Sequence, residues 1–184
     1  CERTRADGAT SDTGRVASAG TKALSYDYLE AGYVKSDTGG DATGWGLGAS
    51  MSIDDRFNLF GDYIDSNADG DEGVDLKQWS IGAGFHHPVS DNADLVSRFA
   101  WTSIDPAQSG ETNGLTIEAG VRSALGSMME GWAMAGYGDV DHGDGEFYTR
   151  LGAQAKFGPS WGVAADVKFI SGDTQWFVGP RVSW

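Results

Sequence analysis

Two stretches hold the densest chemistry in the chain. Asp139-Val140-Asp141-His142-Gly143-Asp144-Gly145-Glu146 places four carboxylates and an imidazole close together. Asn67-Ala68-Asp69-Gly70-Asp71-Glu72-Gly73 places three more carboxylates beside flexible glycines. Calcium takes about 6–8 oxygen ligands, and Asp-x-Asp spacing with Gly can supply several. Asp69, Asp71, Glu72, Asp139, Asp141, Asp144 and Glu146 are therefore candidate ligands for Ca²⁺ or Mg²⁺. Neither stretch completes the EF-hand pattern, and each also reads as a solvated, self-repelling acidic loop. Apart from such ions, the sequence implies no cofactor.

Catalysis finds little to work with. The histidines are His86, His87 and His142. His86 and His87 fall at the end of an expected strand beside a short turn, which predicts a place at a membrane interface. No G-x-S-x-G occurs, and spacing pairs no serine with a histidine. His142 among its carboxylates resembles the Asp/His groups that some ten-stranded outer-membrane proteases carry at their outer rim, but those barrels are much longer. The expectation is a non-enzyme with no catalytic residues. Cys1 is the lone cysteine, so no internal disulfide can form. It reads either as a lipoprotein cysteine or as an incidental feature of the chain's start.

The elements that hold these loops alternate at period two. Trp45, Leu47, Ala49, Met51 and Ile53 share one face, with Gly44, Gly46, Gly48, Ser50 and Ser52 on the other. The pattern recurs in Trp79-Ile81-Ala83-Phe85, Leu115-Ile117-Ala119-Val121, Trp161-Val163-Ala165-Val167-Phe169 and Trp176-Val178-Pro180-Val182-Trp184. It predicts strands at 24–35, 43–53, 56–65, 74–87, 93–104, 113–124, 129–139, 146–157, 161–171 and 175–184. Most are near the ~9–11 residues that cross a bilayer when tilted. Tight connections alternate with mostly longer, acidic ones, the asymmetry of outer-membrane barrels. An even strand count puts both chain ends on the short-turn, periplasmic rim. Pro180 lacks an N–H and predicts a bulge in the last strand.

The polar face carries charges of both signs among glycines, which suits a narrow lumen filled by side chains. Glu30, Arg98, Glu118, Arg122, Glu130, Arg150, Asp166, Lys168 and Arg181 form the expected lumen network, with Asp62 and Lys156 on the same face. Unpaired buried charge is costly, which predicts pairing of Arg98, Arg122 and Arg150 with Glu30, Glu118 or Glu130. Aromatics such as Tyr33, Trp45, Phe57, Trp79, Trp101, Tyr137, Phe157 and Trp176 sit near the ends of the apolar stripes, as two interfacial girdles would require. The chain closes on Val182-Ser183-Trp184, an aromatic-ended strand of the kind the barrel-assembly machinery reads, so Trp184 is the expected assembly signal.

Composition agrees. Glycine is 28 of 184 residues against 4 prolines, and acidic residues outnumber basic ones 27 to 13. The net charge of −14 leaves no basic stripe for nucleic acid. No run reaches the ~18–20 apolar residues of a membrane helix. Residues 1–20 lack the apolar core of a signal peptide and read as a flexible tail, with the barrel over 21–184.

Leu24-Ser25-Tyr26-Asp27-Tyr28-Leu29-Glu30-Ala31-Gly32-Tyr33-Val34, Gly44-Trp45-Gly46-Leu47, Phe57-Asn58-Leu59-Phe60-Gly61 and the segments 150–169 and 173–184 resemble a small outer-membrane barrel family of xanthomonads and Stenotrophomonas. That family is labelled the sulfation-dependent quorum factor, or activator of plant immunity. The resemblance covers about residues 21–184. It implies an outer-membrane protein also shed in vesicles, with roles in motility, biofilm and virulence. It also implies a sulfated tyrosine, which would be Tyr26, here at the start of the first strand on the lumen face.

The reading is an all-β, closed, antiparallel up-and-down transmembrane barrel of ten strands, with eight as the alternative. Its expected role is structural or surface-interacting in the outer membrane. Its expected partners are outer-membrane lipids, lipopolysaccharide bridged through divalent cations, and the assembly machinery. A narrow cation-preferring channel is the alternative, and a soluble β-sandwich binding module the third reading.

Overall fold

A computed structural model describes residues 24–37, 41–68, 75–106, 110–140 and 145–184. The expected tail, residues 1–20, lies outside them. Ten antiparallel strands close on themselves: β1 (Tyr28–Ser36), β2 (Ala42–Ser52), β3 (Phe57–Ala68), β4 (Asp75–Ser90), β5 (Ala93–Pro106), β6 (Thr112–Ala124), β7 (Met129–Val140), β8 (Glu146–Lys156), β9 (Trp161–Ile170) and β10 (Asp173–Ser183). Each strand pairs with its chain neighbours, and β10 returns to β1. Closure leaves no sheet edge, which is what lets a sheet stand in hydrocarbon. Followed once round, the registers advance by about twelve residues, a stagger that tilts the strands by about 35–45°.

The period-two pattern sorts the two faces. Leu29, Leu47, Leu59, Ile81, Phe99, Ile117 and Leu151 point outward and are exposed, while Glu30, Glu118, Glu130, Arg122, Asp166 and Arg181 are buried. A water-soluble barrel or sandwich would invert this arrangement. Trp45, Trp79, Trp101, Tyr33, Phe157, Trp161 and Trp176 are likewise exposed on the outer surface. An outer belt of this kind suits hydrocarbon between two aromatic girdles.

Several boundaries move. Residues 24–27 are not part of β1; they fold into the short-turn mouth, where Leu24 and Tyr26 are buried with Val96 and Met134. β4 runs on to Ser90 through a register shift between Pro88 and Ser90, so the expected turn over 88–92 shrinks to Asp91-Asn92. Proline's missing N–H explains the shift there. Pro180 makes no bulge: it keeps register with Val163 of β9. Its missing donor instead faces β1, where pairing skips from Glu30 to Tyr33 without a slip. The connection from β9 to β10 is only two residues, Ser171 at φ 46° and Gly172 at φ 103°. Two positive φ values make the type I′ hairpin that matches strand twist.

Candidate functional site

Strand parity aims the charges inward, and register then sets them side by side. Arg98 lies directly opposite Glu118, with Nη1 3.3 Å from Oε2. Its Nη2 reaches Asp62 Oδ2 at 3.5 Å, and its guanidinium lies 3.7 Å over the Phe60 ring. Glu118 Oε1 is 4.0 Å from Arg150 Nη1. Arg150 Nε donates to Asp166 Oδ1 at 2.7 Å, and Trp132 Nε1 donates to Asp166 Oδ2 at 2.6 Å. One chain of contacts thus crosses the lumen from β3 to β9 and back to β7.

Two further sets flank it. Arg122 donates to Glu130 Oε2 from Nη2 at 2.5 Å and from Nε at 3.1 Å. Lys156 Nζ takes the other oxygen of Glu130. Arg181 Nη2 meets Glu30 Oε2 at 2.6 Å, while its guanidinium lies 4.2 Å from the Tyr28 ring centre and 5.1 Å from that of Trp132. Lys168 Nζ sits 3.9 Å over the Tyr148 ring. Glu130 is 1 % exposed, so its charge depends on these two cations; a lone buried ion costs several kcal/mol.

Glycine makes the room. A Cβ at Gly152 would strike the Trp132 indole, one at Gly136 the Tyr148 ring, and one at Gly48 would lie 2.8 Å from Glu30 Oε1. Trp132, Tyr148 and Glu30 thus each face a neighbour with no side chain.

The short-turn mouth is closed by Tyr26. Its ring stacks on His86 at 3.8 Å and 9°, its hydroxyl donates to Asp94 Oδ2 at 2.9 Å, and Arg122 lies 4.8 Å from the ring centre. His86 is therefore buried in the lumen, not at the membrane interface as its place near a turn predicts. The odd–even count puts His86 inward and His87 outward, and that parity outweighs nearness to the turn. Tyr26, although on the lumen side, precedes the strand that the sequence assigns to it. A sulfate on its hydroxyl would sit against the Asp94 carboxylate.

Of the acidic-loop candidates, Asp139 and Glu146 are exposed at the long-loop rim. Asp69, Asp71, Glu72, Asp141 and Asp144 lie outside the described residues, as does His142. Among the described residues no three His, Cys, Asp or Glu side chains gather into a metal-binding group. Trp184 is exposed at the short-turn end, its backbone N–H donating to Asp27 O at 3.2 Å.

No protein family model matches the chain, and no curated protein matches it. Solved structures do. The NanC porin is 9 % identical over 85 % of this chain and 100 % of its own, with a TM-score of 0.56. The KdgM porin is 12 % identical over 85 % and 99 %, with a TM-score of 0.51. The closed barrel is similar in fold to these two porins. Identities this low carry the barrel and leave the role to the residues.

Sequence reasoning missed Trp132, Tyr148 and Tyr28 as parts of the lumen network. Their even numbers on β7, β8 and β1 place them beside Glu130, Arg150 and Glu30, so strand parity carried the signal. It also missed Asp94 and His86 as partners of Tyr26. That contact joins residues far apart in the chain, and no local pattern announces it.

Proposed function

We propose that this chain is an outer-membrane barrel with a closed lumen, acting as a structural or surface-interaction protein and not as an enzyme or an open pore. The observation that carries this reading is the paired charge inside. Arg98, Arg122, Arg150 and Arg181 each lie within 4.0 Å of a carboxylate, and Tyr26 caps the mouth below them. Ten strands enclose little volume once such side chains and their ring partners fill it.

The apolar belt supports outer-membrane lipids as the surrounding solvent, and the aromatic last strand supports delivery by the assembly machinery. On this reading the short turns face the periplasm and the acidic loops face outward. There, carboxylates including Asp139 and Glu146 would meet lipopolysaccharide phosphates through divalent cations. The resemblance to the xanthomonad and Stenotrophomonas barrels adds release in vesicles and roles in biofilm, motility and virulence to the reading.

Single-channel recording in a planar bilayer tests it. Negligible current from the folded protein is expected. A reproducible, cation-preferring conductance that falls in selectivity as salt rises would replace the closed barrel with a narrow channel, because an acidic rim concentrates cations in a screening-dependent way.

A further inference from the structure

A vestibule of about 500 Å³ opens at the short-turn mouth beside Tyr26. That is the size class of pockets that take small organic ligands. Gln154 lines it. This side chain is 1 % exposed, and its Oε1 has no hydrogen-bond partner among the described residues. Buried acceptors are nearly always satisfied, and leaving one unmade is costly. The carbonyl is thus a ready acceptor for an O–H or N–H group that enters.

The rest of the wall says what kind of group that is. Trp184 stands at the rim, 67 % exposed, offering a flat face with a polar N–H, while Trp161 borders the mouth from the outer belt. Ser160 and Ser183 add hydroxyls, and the Asp27 and Asp54 carboxylates disfavour anions. Among the described residues the one ammonium in the wall, Lys156, is already engaged by Glu130. A flat apolar face, many small hydroxyls, a buried acceptor and no free cation among the described residues together match a ring that has both C–H faces and hydroxyl donors.

We propose that this vestibule binds the end of a neutral sugar chain, with a ring against the Trp184 indole and a hydroxyl or amide N–H donated to Gln154 Oε1. The site meets the ion-pair network at Lys156, and binding is read without any current through the lumen.

The test uses the full chain folded in a phosphocholine detergent, since sugar-headed detergents would compete. The probe is a neutral N-acetylglucosamine trimer, read by tryptophan fluorescence, with a galacturonate trimer as the anionic control. Expected is a saturable change with the neutral trimer and at least about tenfold weaker binding of the anionic one. Gln154→Leu should weaken binding by about tenfold, the loss of one good hydrogen bond. Ser160→Phe, at an exposed rim position, should block it while heat-modifiable gel mobility stays unchanged. The Ser160 variant keeps the test decisive if Gln154→Leu fails to fold. No saturable response in the wild type, equal binding of both trimers, or unchanged binding by Ser160→Phe would overturn the proposal and leave water as the partner of Gln154.

Discussion

Glu30 of β1 and Arg181 of β10 face each other across the seam where the barrel closes, their register paired and their charges 2.6 Å apart. The same seam loses pairing between Glu30 and Tyr33, where Pro180 offers no N–H. The ion pair therefore stands beside the weakest stretch of the closing ladder. A slip of two residues would keep every side chain on its proper face, yet it would strand both charges. Charge therefore opposes that slip alongside the close packing of the seam, where the Phe177 ring lies against Gly32.

Glu130 is the most demanding member of the network. Glu130→Ala would leave both Arg122 and Lys156 without their carboxylate. We expect a loss of about 3–5 kcal/mol, the range for breaking one side of a buried pair, measured by equilibrium unfolding in lipid vesicles. A loss no larger than that of an exposed-charge variant such as Asp139→Ala would show that lumen water screens Glu130 fully.

Ala83 and Ala165 point outward near the middle of β4 and β9 and are exposed. Ala83→Arg and Ala165→Arg should each cost about 2–4 kcal/mol in a bilayer. Folding into vesicles with unchanged stability would reverse the assignment of inside and outside.

Parity made most of this legible in advance. The sequence places Ala83 outward and Arg98, Glu118 and Asp166 inward by counting in twos, and the strand set follows from the same count. Two kinds of feature stayed hidden. Diagonal pairs such as Arg122 with Glu130 depend on the stagger between strands, which no single strand encodes. The fold of residues 24–27 into the mouth depends on Asp94 and His86, whose positions exist only once the barrel has closed.

Tyr26 should resist modification in the folded barrel. Nitration by tetranitromethane, followed by mass spectrometry, is expected to mark Tyr33, which is 51 % exposed, and to spare Tyr26, which is 7 % exposed. After unfolding, both should react. Equal labelling of the two in the folded state would mean that the mouth segment leaves the lumen readily.

Trp184 is expected to matter more in cells than in the test tube. Trp184→Asp should lower assembly in the membrane while leaving refolding into detergent close to wild type, because its side chain lies exposed outside the packed lumen. An equal loss in both settings would make it a packing residue only.

Asp54 supplies a pH dependence. Its Oδ1 accepts the N–H groups of Arg56 at 2.7 Å and Phe57 at 2.9 Å. These bonds, Arg56 first, hold the carboxyl below its ordinary range. A group depressed on folding adds stability above its unfolded value, near pH ~3.9, and that stability is lost as pH falls through the lower folded value. Asp54→Ala should flatten the acid limb of the stability curve, and an NMR titration should show the depressed carboxyl directly. An unshifted Asp54 titration would remove the turn from the acid response.

The glycines facing Trp132 and Tyr148 carry a consequence for how such a barrel can change over time. Gly152 cannot grow while Trp132 remains, and Trp132 cannot shrink without leaving a hole beside Asp166. Bulk is therefore a property of the facing pair, and either site is free to hold it. Relatives of this chain should trade the two in concert, a large side chain moving from β7 to β8 as the opposite position empties. Single-site comparison would score both positions as variable, although their combined volume hardly moves.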